Sequence, residues 1–252
     1  MIRSPLGLRI NPKGDRSPRD QLQEAAKIGA KGVILDAVGD LAPDRLSETG
    51  RREIRHLLRT TELTLIGLGL PTRRAFDTDD QLEARLARAD RAFALAFELG
   101  ARLVLARVGT LPSEADASRL EVFTRAVGDL ARRADHRGVR LTIETNAEPG
   151  GPLRTFLDGF NTPSLAVSLD PLALIFAGQD PNATTRALAP LVAHVYANEA
   201  TSGGRTSGAV DWAEYLGTLE EIDYRGFLTV WPDPSLEPSA VFARMVERFK
   251  PF

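Results

Sequence analysis

Short apolar runs alternate with longer stretches of helical period along the whole chain, with no break in composition from Leu6 to Phe249. The short runs read as strands and the longer stretches as helices laid over them. Strand candidates are Leu6 to Ile10, Gly32 to Asp36, Leu63 to Gly67, Arg102 to Arg107, Arg140 to Glu144, Leu165 to Asp170, His194 to Asn198 and Phe227 to Trp231. Between them, Leu82, Leu86, Ala89, Phe93 and Phe97 recur in steps of three or four and put one apolar stripe on a helix. Leu120, Phe123, Val127, Leu130 and Ala134 repeat the pattern. Two later helices follow, one marked by Trp212, Tyr215, Leu216, Leu219 and Ile222, the other by Phe242, Met245 and Phe249. Gly29, Gly100 and Gly138 fall just past helix ends and before strands, where a left-handed cap is favoured. Eight such units in 252 residues predict an α/β protein, one (β/α)8 barrel forming a single domain over residues 1–252. The sixth unit is the least regular. There Pro171 to Phe176 starts a helix, Gly178 to Ala183 reads as loop, and a second short helix is expected around Thr184 to Leu191.

The period of two along a strand separates the side chains facing the helices from those facing the barrel interior. Leu165, Val167 and Leu169 form the outward apolar set, leaving Ala166, Ser168 and Asp170 inward. By the same parity Thr142, Glu144 and Asn146 point in, as do His194, Tyr196 and Asn198, and Thr229 and Trp231. Arg9, Asn11 and Asp36 take the inward parity of the first two strands. A barrel interior is normally filled with branched apolar side chains, so this many polar groups near carboxyl ends of strands predicts a pocket there. Arg205, in the Gly- and Ser-rich segment Thr201 to Gly208, is placed to reach over its mouth.

Composition removes several alternatives. Lys+Arg 32 against Asp+Glu 34 leaves a net charge of −2, and the Arg-rich pieces Arg51 to Arg55 and Arg85 to Arg91 alternate with carboxylates at helical spacing, as solvated helix faces do. No nucleic-acid partner is expected from such a balance. The absence of cysteine excludes disulfides, thiolate metal sites and cysteine nucleophiles. No apolar run has the length of a membrane span, so a soluble cytoplasmic protein is expected. His56 and His136 lie on arginine-rich helical stretches and read as surface residues.

The fragments Leu99-Gly-Ala-Arg-Leu-Val-Leu105, Leu141-Thr-Ile-Glu-Thr-Asn146, Val167-Ser-Leu-Asp-Pro171, Ala193-His-Val-Tyr-Ala-Asn-Glu199, Gly208-Ala-Val-Asp-Trp212 and Tyr224-Arg-Gly-Phe-Leu-Thr-Val230, in that order and spacing, resemble the xylose isomerase-like TIM-barrel superfamily of sugar isomerases and epimerases. The resemblance implies a Glu, an Asp, a His and a Glu on the fifth to eighth strands around one Mn²⁺, Mg²⁺, Zn²⁺ or Co²⁺, the two glutamates also moving a proton between adjacent sugar carbons. Glu144 and Asp170 match. Tyr196 stands at the His position, Trp231 at that of the second Glu, and Ala173 where a substrate-contacting His often follows the Asp.

An aromatic side chain cannot replace a hard anionic ligand, so any divalent ion on Glu144 and Asp170 is expected to bind weakly or be absent. Asn198, Glu199, His194 or Asp233 are the residues that could complete an altered set. Glu144 is the candidate catalytic group. Arg9, Asn11, Asp36, Asn146, His194, Tyr196, Asn198, Arg205 and Trp231 are the candidate contacts for a small carbohydrate-like ligand. Two functions remain open: a sugar, polyol or keto-sugar isomerase or epimerase with an altered metal site, or a degenerate member that binds a carbohydrate or a protein partner without chemistry. A zinc nuclease on the same barrel requires many more histidines than the 3 present.

Overall fold

The computed structural model describes residues 4–12, 16–145, 148–198, 210–233 and 235–249. Eight parallel strands close into a barrel in chain order: β1 (Leu6–Ile10), β2 (Gly32–Asp36), β3 (Thr64–Leu70), β4 (Leu103–Ala106), β5 (Arg140–Glu144), β6 (Leu165–Leu169), β7 (Val192–Tyr196) and β8 (Leu228–Val230). Closure comes from β8 against β1, with Leu6, Gly7 and Leu8 beside Leu228, Thr229 and Val230. The outer ring is α1 (Pro18–Lys27), α2 (Glu48–Thr60), α3 (Leu82–Leu99), α4 (Ala117–Arg137), α5 (Gly150–Asp158), α6 (Pro171–Phe176), α7 (Pro181–Leu188), α8 (Trp212–Glu221) and α9 (Pro238–Arg248). The expected (β/α)8 barrel is therefore the observed architecture. No helix among the described residues is long and apolar enough to cross a membrane.

Local chemistry starts and stops these helices. Ser17, Ser47, Asp116, Asp180 and Asp211 each accept a hydrogen bond from a backbone N–H in the first turn that follows, satisfying donors that a helix start leaves unpaired. Gly100 and Gly138 close α3 and α4 in the left-handed region, with φ of 87° and 70°. In the sixth unit the helix begins earlier than expected, because Asp180 caps it and Pro181 occupies its first position, where a missing N–H costs nothing.

The outward faces of the strands and the apolar stripes of the helices make one continuous core. Phe97 departs from its expected place in it, being 62% exposed. At 3.6 residues per turn it lies about 60° round the helix from Leu82, while Leu95, Ala96 and Leu99 hold the other side of the stripe and are buried. Inside the barrel a second, smaller cluster joins Ile34, Ile66, Leu105 and Tyr196, with Phe227 and Trp231 packed on it. Gly32 makes room for that cluster, since a Cβ there would sit 2.7 Å from the Phe227 ring.

Candidate functional site at the carboxyl ends of the strands

Arg9 sits on β1 in the inward register and its guanidinium spans the barrel. Nε donates to Asp36 Oδ1 at the end of β2 at 2.9 Å, and Nη2 lies 2.8 Å from the same oxygen. Nη1 donates to Glu144 Oε1 at the end of β5 and to the Tyr196 hydroxyl at the end of β7. That hydroxyl in turn donates to Glu144 Oε1 at 2.6 Å. Trp231, just past β8, covers the guanidinium face with its ring centroid 3.9 Å from Cζ, a geometry of cation–π attraction. Arg9, Asp36 and Glu144 are 4%, 1% and 9% exposed, so these charges depend on one another and little on water.

Space for the Arg9–Asp36 pair is provided by β3. Gly69 sits opposite it, and a Cβ at that position would meet Asp36 Oδ1 and lie 2.8 Å from Arg9 Nη2. Burial works to lower the Arg9 pKa, but Tyr196, Glu144 and Asp36 around it outweigh burial and the net shift is upward. Burial, with the Glu144 charge beside it, pushes the Tyr196 phenol well above its ordinary range. The cluster thus consists of a fixed guanidinium, two carboxylates and a protonated phenol.

Asp170 faces the same mouth from the end of β6. Its Oδ1 accepts from the Leu172 and Ala173 backbone N–H groups at 3.1 and 3.2 Å and caps α6, while its Oδ2 accepts from Asn198 Nδ2 at 2.8 Å. Asn198 Oδ1 accepts from the Trp231 backbone N–H at 3.0 Å and ties the ends of β7 and β8 together. Burial raises the Asp170 carboxyl pKa, against the opposing effect of these hydrogen bonds. Arg107, immediately after β4, has an exposed side chain whose Nε is 3.8 Å from Glu144 Oε2 and whose Cζ is 5.7 Å from the Trp231 ring centroid. Sequence reasoning did not single out Arg107. Its place as the last residue of the fourth strand candidate was the available signal.

His194 was expected among the ligand contacts, and the structure places it in the packed layer below. It is fully buried, with Nδ1 2.7 Å from Ser168 Oγ and Nε2 2.8 Å from Thr229 Oγ1. Burial, with the Arg9 charge above it, pushes its pKa down to about 3, so the ring is neutral. Arg9 and Asp36 are likewise supports buried beneath the mouth. Asn11 is half-buried, its Oδ1 enclosed without a hydrogen-bond partner among the described residues and its carbonyl accepting from Gln21 Nε2 at 3.4 Å. Asp233 is exposed and engaged with Ser235. Asn146, Glu199 and Arg205 lie outside the described residues. His56 and His136 are exposed, as expected. A groove of about 790 Å³ opens at the opposite end of the barrel, between Arg55, Leu58 and Arg59 of α2 and Leu99 of α3. Glu62 is the one carboxylate among the residues that line it, whereas at the mouth two carboxylates converge on Arg9.

The described residues at the mouth do not fit a divalent cation. Trp231 offers no lone pair, and the Tyr196 phenol is held protonated. Asp170 spends Oδ1 on a helix start and Oδ2 on Asn198. Among the described residues no group of three or more His, Asp and Glu side chains is arranged to hold a metal. A positively charged guanidinium already bridges the ends of β5 and β7.

No curated protein matches the sequence. Solved structures are similar across nearly the whole chain. A xylose isomerase domain protein from Planctomyces limnophilus matches with a TM-score of 0.82 at 18% identity, over 97% of this chain and 94% of that one. The 3-keto-D-glucoside 4-epimerase of E. coli matches with 0.79 at 11% identity, over 98% of each chain. D-psicose 3-epimerase from Clostridium cellulolyticum H10, solved with D-tagatose, matches with 0.76 at 16% identity, over 95% and 89%. At these identities the likeness concerns the fold. The model of the xylose isomerase-like TIM barrel family matches residues 22–251, and the chain belongs to that family.

Proposed function

We propose that the protein is a carbohydrate-binding member of the family that does not perform metal-dependent isomerisation. The observation that supports this most is the Arg9 guanidinium, held by Asp36, Glu144 and Tyr196 beneath Trp231. Moving a proton between neighbouring carbons requires a base and an electrophile that stabilises the developing oxyanion. Glu144 is available as one base through Oε2. The divalent ion that would serve as electrophile finds no ligand set among the described residues, and Arg9 does not replace it, because its donors go to protein acceptors and its side chain is only 2% exposed.

What the mouth offers a ligand is polar and half-open: Glu144 Oε2, the Asp170–Asn198 pair, the Trp231 ring edge and the Arg107 guanidinium. This mixture of acceptors, donors and an aromatic surface suits a polyhydroxylated ring. Relatives of the same fold include sugar epimerases, one of them solved with D-tagatose. The test is a ligand screen by saturation-transfer NMR over aldoses, ketoses, sugar acids and polyols, without added metal. A hit should be lost in Glu144→Gln and Asp170→Asn. Absence of any hit in the wild type, or equal binding by both variants, overturns the reading.

The retention of Glu144 and Asp170 at the family positions favours a second reading, an active isomerase or epimerase on a sugar, polyol or keto-sugar. Incubating each hit in D₂O separates the two. Deuterium entering a carbon-bound position shows turnover, and its absence with bound ligand supports binding alone.

A further inference from the structure

We infer that Arg9 is an internal cation, its guanidinium standing where the family's resemblance calls for a divalent ion and carrying the positive charge that such an ion would bring. This rests on the metal-free half of the proposed function and makes no use of the carbohydrate.

Position is the first support. Of the four strand ends that the resemblance assigns to the ion, the guanidinium touches three: it donates to Glu144 and Tyr196 and lies under Trp231. The second is the nature of the two departed ligands. Tyrosine and tryptophan are poor partners for a small hard cation, but a phenol oxygen accepts from an N–H and an indole face attracts a flat delocalised cation. Tyr196 and Trp231 are therefore changed in a way that suits one and the same replacement.

The third support is that the cradle is built on the other side as well. Asp36 holds the Nε and Nη2 edge, and Gly69 leaves the space that this pair fills. Two carboxylates as buried as Asp36 and Glu144 call for an opposite charge beside them. Arg9 supplies it from within the chain. It does not supply the other half of an ion's work, since its donors are turned to protein acceptors and away from the mouth. Arg9 is thus a positioning residue that holds Glu144 in one orientation.

The experiment uses cations alone. Wild-type protein, purified without a His tag and titrated calorimetrically with MnCl₂, is expected to show no stoichiometric site. Arg9→Ala should lower the thermal midpoint, and guanidinium chloride or MnCl₂ at low concentration should raise it again, with Mn²⁺ binding at least about tenfold tighter than in wild type. Urea, the neutral analogue of guanidinium, should not do so, and Glu144→Gln added to Arg9→Ala should abolish the recovery. If Arg9→Ala is insoluble, soluble yield with and without each cation is the readout. Arg9→Lys keeps the charge and should stay closed to Mn²⁺. One Mn²⁺ held per wild-type chain, no response of Arg9→Ala to either cation in midpoint or yield, or an Arg9→Lys that takes Mn²⁺ as readily as Arg9→Ala, would each overturn the inference. None of these outcomes bears on whether a sugar binds.

Discussion

Tyr196 is the residue whose single atom does most at the mouth, accepting from Arg9 and donating to Glu144. Tyr196→Phe keeps the ring packed between His194 and Trp231, at centroid distances of 4.6 and 5.5 Å, and removes only that bridge. Urea denaturation should show a loss of about 1–3 kcal/mol, the cost of leaving buried partners short of a hydrogen bond. A loss within experimental error would place the hydroxyl outside the network. Replacing Tyr196 by His and Trp231 by Glu in the same chain restores the family's ligand types but leaves Arg9 among them, so Mn²⁺ affinity should stay at the wild-type level until Arg9→Ala is added. A gain from the first two changes alone would show that the guanidinium yields its place. His194 gives a pH signature. Its pKa falls from 6.5 to about 3 on folding, so the unfolded chain takes up a proton that the folded one refuses. Its stabilising effect is complete above about pH 6.5 and is lost by up to roughly 1.4 kcal/mol per unit as pH falls from there toward 3. His194→Gln, which can still bond Ser168 and Thr229, should flatten the stability profile between pH 6 and 5; an unchanged slope would mean that other groups set it.

Among the elements, α6 links the site to the frame, because Asp170 both faces the mouth and caps that helix. Asparagine caps about as well as aspartate, whereas alanine does not. Asp170→Asn keeps the cap but turns an amide N–H₂ toward Asn198 Nδ2, so it and Asp170→Ala should both lose the Asn198 bond and ligand, and Asp170→Ala about 1 kcal/mol more, measured by the same denaturation. Equal stability of the two would remove the cap from the account. Strand positions were legible in the sequence because alternation, caps and glycine stops all act within a few residues, and parity alone turned Arg9, Asp36, Glu144, Tyr196 and Trp231 toward the interior. It could not say which of them touch. The reach of Arg9 to β5 and β7 spans 135 and 187 positions of sequence, and no local pattern encodes it. Parity also sets His194 one inward step deeper than Tyr196, but not how much that step removes, so both stood among the ligand contacts although His194 is sealed in the packed layer. Gly69 was invisible for a different reason: its contribution is an absence of atoms opposite an ion pair that had not yet been located.

For the molecule as a whole, the barrel is held shut most thinly at its last seam. β8 is 3 residues long, and it meets β7 through only two residue pairs, Val195 with Leu228 and Tyr196 with Thr229. Native-state hydrogen exchange should find the lowest protection of the barrel amides here, since local opening follows the least supported hydrogen bonds. Protection at β8 equal to that of β2 and β3 would contradict this. The Asn198 bridge to the Trp231 backbone crosses the same seam, so loosening it also loosens the aromatic wall of the mouth.

Because the positive charge buried beneath the mouth is covalently part of β1, it obeys no mass action. A bound ion stabilises its host by an amount that rises with the free concentration of that ion, and a cell or a chelator can withdraw it. The guanidinium of Arg9 is present once per folded chain whatever the solution contains, and it leaves only when the barrel opens. On the inference that this guanidinium replaces the ion, completing the pocket and completing the fold are one event, independent of the metal supply.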